Sequence, residues 1–259
     1  MVHFSSLRVG IVKYVNALPL EYDLERFLPG AKIILDIPSS LGRQLEQGEL
    51  DVALLSSIVL YRHSDYGFIP GLGISSHGPV RSVCLFCKKP LSEIQTVALD
   101  QSSLTSVTMI RILFADFWKI QPRYLSFQPP IDNGLRLADA ALAIGDPTLL
   151  FDGRNVETYD AGELWRQYCR LPFVYAVWVT RPGLDPQSLV EPFSLAAESG
   201  LANMDDISEQ CARKTSLTAD SYRDYFTRCI QYKLNDFHME GMNYFFKKTQ
   251  TILAQSPIS

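Results

Sequence analysis

Two neighbouring segments decide how this chain is read. The first is Gly78-Pro79-Val80-Arg81-Ser82-Val83-Cys84-Leu85-Phe86-Cys87. The second is Thr96-Val97-Ala98-Leu99-Asp100-Gln101-Ser102-Ser103-Leu104-Thr105-Ser106. A glycine–proline turn leads into one apolar run. A second apolar run ends in a cluster of hydroxyls, and a helical pattern from Val107 to Trp118 follows it. Short β-branched apolar runs bounded by turn residues read as buried strands. A hydroxyl cluster between strand and helix brings together side-chain donors, backbone N–H groups and the positive end of the helix dipole. Ser102, Ser103, Thr105 and Ser106 are therefore a candidate small-anion site, or an elaborate helix cap. The run from Val83 to Lys88 is expected to cross from one lobe to another.

Toward the amino terminus, strand and helix patterns alternate. Arg8 to Tyr14 (R-V-G-I-V-K-Y) reads as a buried parallel strand, and Asn16 stands between it and a helical run from Leu18 to Phe27. Ala31 to Ile37 is a second strand, and Asp51 to Leu55 (D-V-A-L-L) a third, ending in Ser56-Ser57. Strand, helix, strand order implies a parallel sheet with right-handed crossovers. Ligands of open α/β sheets bind at the carboxyl ends of strands, so Asn16, Ser56 and Ser57 are candidate binding residues; each also suits a helix cap. Arg81 is the one charge in its apolar surroundings. It reads as a carboxylate clamp, an ion-pair member or a strand-end surface residue.

Toward the carboxyl terminus, Ala138 to Ile144 is a small-residue strand ending in Gly145-Asp146-Pro147. Asp146 is an acid–base candidate or a turn residue. Asp160 to Cys169 reads as helical. Val174 to Thr180 is a strand with alternating aromatics, and Phe173 and Tyr175 are either ligand walls or core. From Pro186 onward the pattern is helical: roughly Pro186–Ser199, Asp205–Thr215, Thr218–Ile230 and Asp236–Ala254, with Thr218 and Asp236 as caps.

The chain has 259 residues and a formal net charge of −4. That length suggests two lobes or one large α/β domain. An acidic chain lacks the basic face that nucleic acid requires. No apolar run reaches the ~18 residues of a membrane helix. The first residues show no cationic segment followed by an apolar core, so a cytoplasmic protein without a secretory signal is expected. The five cysteines are odd in number and mostly scattered, and the four histidines, His3 included, show no metal-ligand spacing. Cys84 and Cys87 lie three apart in a strand and face opposite sides, which suits core thiols better than a redox pair.

Several segments, in order, sharpen the reading: R-V-G-x-V-x-Y-x-N-x-x-P-L (Arg8 to Leu20), G-E-L-D-V-A-L-L-S-S (Gly48 to Ser57), G-P-V-R-S-V (Gly78 to Val83), V-A-L-D-x-S-S-x-T-S (Val97 to Ser106), I-G-D-P (Ile144 to Pro147) and L-P-F-V-Y-A-V-W (Leu171 to Trp178). Together they resemble the menaquinone-biosynthesis family of the futalosine pathway, in its chorismate-dehydrating branch. The resemblance implies a two-lobed, type II periplasmic-binding-protein-like α/β fold with its ligand between the lobes. The expected lobes are residues 1–90 plus 180–259, and residues 91–179, with crossing strands near Val83–Lys88 and Val174–Thr180. It also implies dehydration of chorismate to 3-[(1-carboxyvinyl)oxy]benzoate, a lyase reaction with no cofactor and no metal. Tyr14, Gly78, Ser82 and Gly145 join the expected substrate-binding set through these motifs. Asn16 and Asp146 are the expected catalytic residues.

A sister branch makes 1,4-dihydroxy-6-naphthoate and carries a histidine in the segment equivalent to Ile144-Gly145-Asp146. Its absence here favours dehydration. A non-catalytic carboxylate-binding protein is the other alternative. Monomer and homodimer are both open.

Overall fold

The structure is a computed structural model that describes residues 4–255. His3 and the outermost ends of the expected first lobe lie outside the described residues. Among these residues the strands are β1 (Arg8–Val12), β2 (Lys32–Asp36), β3 (Val52–Ser56), β4 (Gly67–Ser76), β5 (Val83–Cys87), β6 (Thr96–Asp100), β7 (Arg123–Phe127), β8 (Ala140–Ile144), β9 (Glu157–Asp160), β10 (Phe173–Thr180) and β11 (Gln231–Lys233). The chain divides into two compact units: Met1–Ser75 with Val174–Asp236, and Ser76–Phe173 with Phe237–Ser259.

The first unit is built on a six-stranded sheet in the order β11-β4-β10-β3-β1-β2. β1 runs parallel to β2 and β3, as the alternating pattern implies, whereas β10 pairs antiparallel with β3 and β11 antiparallel with β4. β1 and β3 are almost wholly buried because their residues are apolar on both faces. Parallel β1 and β3 therefore end at one sheet edge, where antiparallel β10 begins. That edge gathers Tyr14, Asn16, Ser56 and Tyr175.

The second unit has a five-stranded sheet in the order β7-β6-β8-β5-β9. β6 is parallel to β7 and β8, and β5 is antiparallel to β8 and β9. The carboxyl ends of β6, β8 and β9 and the amino end of β5 thus share one edge. β5 is buried at every position and lies inside this sheet, so it is not a crossing strand. Chain instead passes between the units next to β4, at the start of β10 and at Asp236. The final helix, Asp236–Gln255, falls almost entirely in the second unit rather than with the first lobe. Cys84 and Cys87 are buried thiols within β5, and burial pushes the Cys87 thiol up to about 12.

Other differences have local causes. The helix expected from Val107 begins at Leu104 and gives way at Leu113–Phe117 to a π-helical turn. The carboxyl-terminal part is not wholly helical, since β11 forms between helices by pairing with β4. Thr218 caps its helix through Ser221 N–H, whereas Asp236 is a helical residue in its own right. No helix among the described residues is long and apolar enough to cross a membrane.

One ion cluster ties the first sheet together. Asp51, buried just before β3, accepts from the backbone N–H, Nε and Nη2 of Arg8 at 2.9 Å each and from Nε of Arg181 at 2.8 Å. It thereby joins the starts of β1 and β3 to the end of β10. Burial alone would raise its pKa, but the hydrogen bonds from Arg8 and Arg181 outweigh it and hold the carboxyl at about 2, below the ordinary 3.8. A depressed carboxylate contributes stability that is complete above the unfolded value and is lost on acidification. We expect denaturant midpoints of the wild type to fall as pH drops from 3.8 toward about 2. Asp51→Asn should be less stable at neutral pH, with a flatter acid limb. Parallel acid limbs in the two proteins would contradict the assignment.

Candidate active site

In the second unit the sheet edge is organised by Asp160, which ends β9 and caps the helix Ala161–Cys169 through Glu163 N–H at 3.1 Å. The same carboxylate accepts from Val80 N–H at 3.0 Å to each oxygen and from Arg81 N–H at 2.6 Å. These bonds fix the Gly78–Ser82 loop. Arg81 is held with φ 61°, a left-handed conformation that costs a non-glycine residue roughly 1–2 kcal/mol. Burial pushes the Asp160 pKa up, opposed by the backbone donors of Val80, Arg81, Glu163 and Gly162. Ser82 is buried, and its carbonyl accepts from Gly145 N–H at 2.7 Å. The loop is thereby joined to the end of β8.

Gly145 has φ 75° and ψ −158°, a region populated essentially by glycine. Asp146, half-buried, then opens the short helix Asp146–Leu150, and Thr148 N–H bonds back to the Gly145 carbonyl at 3.0 Å. The hydroxyl oxygen of Thr148 is buried without a hydrogen-bond partner among the described residues.

The hydroxyl cluster is only partly directed outward. Ser102 bonds through both N–H (2.9 Å) and Oγ (2.5 Å) to the buried carboxylate of Asp100. Ser103 is the helix cap: its Oγ accepts from Ser106 N–H at 3.3 Å and lies 3.1 Å from Ser106 Oγ. Thr105 and Ser106 are inside the first helical turn and buried. Leu104 N–H has no acceptor within the helix. Of the residues expected to bind an anion, Ser102 and Ser106 are thus engaged in local hydrogen bonds, and the first N–H of the helix is that of Leu104.

In the first unit, Asn16 lies in a single 3-10 turn, Val15–Ala17, just past β1. Its Oδ1 is buried and without a hydrogen-bond partner among the described residues. An unsatisfied buried acceptor costs ~1–3 kcal/mol, so this atom marks where a ligand donor would be most favourable. Tyr14 and Ser56, both half-buried, share its sheet edge. Ser57 does not face a ligand: its hydroxyl is buried and donates to Val174 O at 2.7 Å, and its N–H to Tyr175 O at 3.0 Å. Tyr175 is also largely buried.

In the second unit Phe173 belongs to the core, with its ring centroid 4.9 Å from Trp165 and 5.0 Å from Phe245 in edge-on contacts. The structure therefore places Gly78, Arg81, Ser82, Ser102, Ser103, Thr105, Ser106, Gly145 and Asp146 at one edge of the second sheet. It places Tyr14, Asn16, Ser56 and Tyr175 at one edge of the first. Sequence reasoning missed Asp160, whose only local signal is that of a cap, and Thr148, which carries none.

The fold is shared with solved structures of low identity. A protein from Archaeoglobus fulgidus matches with TM-score 0.72 and 16% identity over 99% of this chain and 100% of that one. The alkanesulfonate-binding protein of Xanthomonas axonopodis pv. citri, bound to MOPS, matches with TM-score 0.65 and 15% identity over 96% of this chain and 94% of that one. A Candida albicans protein described as having the generic periplasmic-binding-protein fold matches with TM-score 0.63 and 11% identity over 96% and 94% of the two chains. The chain thus has a periplasmic-binding-protein-like α/β fold.

Its sequence is more specific. The chain belongs to the menaquinone-biosynthesis family, whose model matches residues 7–251. A chorismate dehydratase from Thermus thermophilus is 32% identical over 228 residues, 80% of this chain and 82% of that protein.

Removing the Asp160 acceptor leaves several partly buried N–H groups unpaired, each costing up to ~1–3 kcal/mol. Asp160→Ala is expected to destabilise the protein by about 3 kcal/mol or more in urea unfolding. An unchanged midpoint would mean that Asp160 does not hold the loop.

Proposed function

We propose that the chain is a chorismate dehydratase, a hydro-lyase that converts chorismate to 3-[(1-carboxyvinyl)oxy]benzoate and water in the cytoplasm, on the futalosine route to menaquinone. The observation that carries the reading is the 32% identity to a chorismate dehydratase across most of both chains. The backbone at Gly145 agrees with it. The sister naphthoate-forming branch has a histidine in this segment, and φ 75° with ψ −158° disfavours any side chain at this position.

Chorismate is a dianion, and its dehydration needs no redox step. The ring C–H at the enol-ether carbon loses its proton, the adjacent hydroxyl takes up a proton and leaves as water as its C–O bond breaks, and the ring becomes aromatic. That C–H is conjugated through a double bond to the ring carboxylate, so donors on the carboxylate stabilise charge that develops there. The Ser103–Leu104 helix start is assigned to one carboxylate, in line with the dipole and the N–H groups it presents. In the first unit Asn16 is kept as a residue needed for turnover, in line with its buried Oδ1 that has no partner among the described residues. Asp146, half-buried at its strand end, is one candidate for the proton acceptor. The substrate's own enolpyruvyl carboxylate is the other, and it is favoured because a positioned intramolecular base needs no side chain.

The test is incubation of purified protein with chorismate and analysis by chromatography with mass detection. The expected outcome is a species lighter by one water that retains the enolpyruvyl group. Thermal stabilisation without product would instead favour a non-catalytic carboxylate-binding protein. Asn16→Ala should lower kcat/KM about tenfold or more; unchanged kinetics would remove it from the site. Asp146→Asn is expected to retain near-normal turnover, and a loss of several orders of magnitude would make Asp146 the base.

A further inference from the structure

At the far end of the helix Leu104–Ile112 stands a cation that the proposed chemistry does not use. Arg111 is eight residues beyond the Ser103 cap, about 12 Å along the helix axis. It therefore lies toward the opposite edge of the sheet. Its guanidinium carbon sits 4.7 Å from the centroid of the Tyr124 ring. Nε is buried, and no hydrogen-bond partner for it exists among the described residues. Burial lowers the pKa of this guanidinium, and among the described residues the opposing influence comes from the Tyr124 phenol rather than from a carboxylate. Burial also drives that phenol far above its usual 10, so it stays neutral. A half-buried guanidinium normally has a carboxylate beside it, because an uncompensated buried charge is costly.

The cation does not face a closed wall. Arg111 lines a cavity of about 500 Å³ together with Ala115, Ile120, Gln121, Pro122, Tyr124 and Ile252. Among the described residues no acidic side chain is in the lining. Two exposed cations, Lys119 and Arg123, flank the Ile120–Pro122 part of the wall in sequence. The walls are apolar, and the volume suits a molecule of modest size. An unpaired Nε–H beside a terminal NH2 is one edge of the guanidinium fork, which matches the two oxygens of a carboxylate.

We propose that this pocket is a second binding site, separate from the edge that holds Ser103 and Gly145, and that it takes a small carboxylate with a flat apolar body. The carboxylate pairs with Nε and one Nη of Arg111, Tyr124 orients the guanidinium by stacking, and Ile120, Pro122 and Ile252 enclose the body. Phosphate fits less well, because the walls supply Gln121 as a further neutral donor but no additional cation in the lining. The proposal does not depend on the dehydratase reading.

The test is titration of the full chain with benzoate, followed through the Arg111 Nε–H resonance in a proton–nitrogen correlation spectrum. Loss of the signal in Arg111→Lys assigns it. The expected result is a saturable downfield shift of this resonance, preserved in Asn16→Ala. Affinity read from a second reporter, the Tyr124 ring protons, should fall about tenfold in Arg111→Lys, which keeps the charge but not the fork. Benzamide, the neutral analogue, should fail to move the signal at the same concentrations. Three results would overturn the proposal: an Arg111 signal that stays still while benzoate saturates signals elsewhere, benzamide matching benzoate, or inorganic phosphate binding as tightly as benzoate. The first would mean that only the other sheet edge binds carboxylates, the second that the groove reads apolar shape, and the third that it reads charge alone.

Discussion

A half-buried carboxylate that accepts from Val80, Arg81 and Glu163 N–H determines the shape of the second sheet's edge. Asp160 acts on two elements at once: it starts a helix and it closes the Gly78–Ser82 loop. Its bonds to Val80 and Arg81 N–H fall on the stretch where Arg81 is held in a left-handed backbone. The loop in turn fixes β8 through the bond from Gly145 N–H to Ser82 O. A single acceptor therefore propagates to the glycine that precedes Asp146. Charge-assisted bonds to backbone donors suit this task, because they are short, directional and stronger than neutral ones.

The first unit uses the same device at the opposite end of its strands. Asp51 gathers Arg8 and Arg181 at the edge remote from Asn16. Asn16 Oδ1 lacks a hydrogen-bond partner among the described residues, as do the Thr180 and Tyr232 hydroxyls of the same unit, and each such buried group is a cost.

Strands such as β1, β3, β6 and β8 were legible because they are short apolar runs ending in turn residues. β9 (E-T-Y-D) and β11 (Q-Y-K) were not, since their polar residues follow no apolar pattern and pairing with β5 and β4 defines them. β5 read as a crossing strand because burial on both faces looks alike in any sheet; only its long-range partners β8 and β9 reveal which sheet it joins. The motif residues at the two strand edges were identifiable from order and spacing. What the hydroxyls do was not. Ser57 points to Val174 and Ser102 to Asp100 because of neighbours distant in sequence or in turn geometry, and Phe173 joins Trp165 and Phe245 for the same reason. Thr148 and Asp160 were invisible as site residues since neither stands in a recognisable chemical motif.

The most direct test of this account is a crystal structure of the wild-type chain with 3-[(1-carboxyvinyl)oxy]benzoate bound. The expected result is a ligand carboxylate accepting hydrogen bonds from Leu104 N–H and the Ser103 hydroxyl, with the Gly78–Ser82 loop still held by Asp160. A ligand bound with neither carboxylate at that helix start would contradict the assignment of the second sheet edge as the catalytic one.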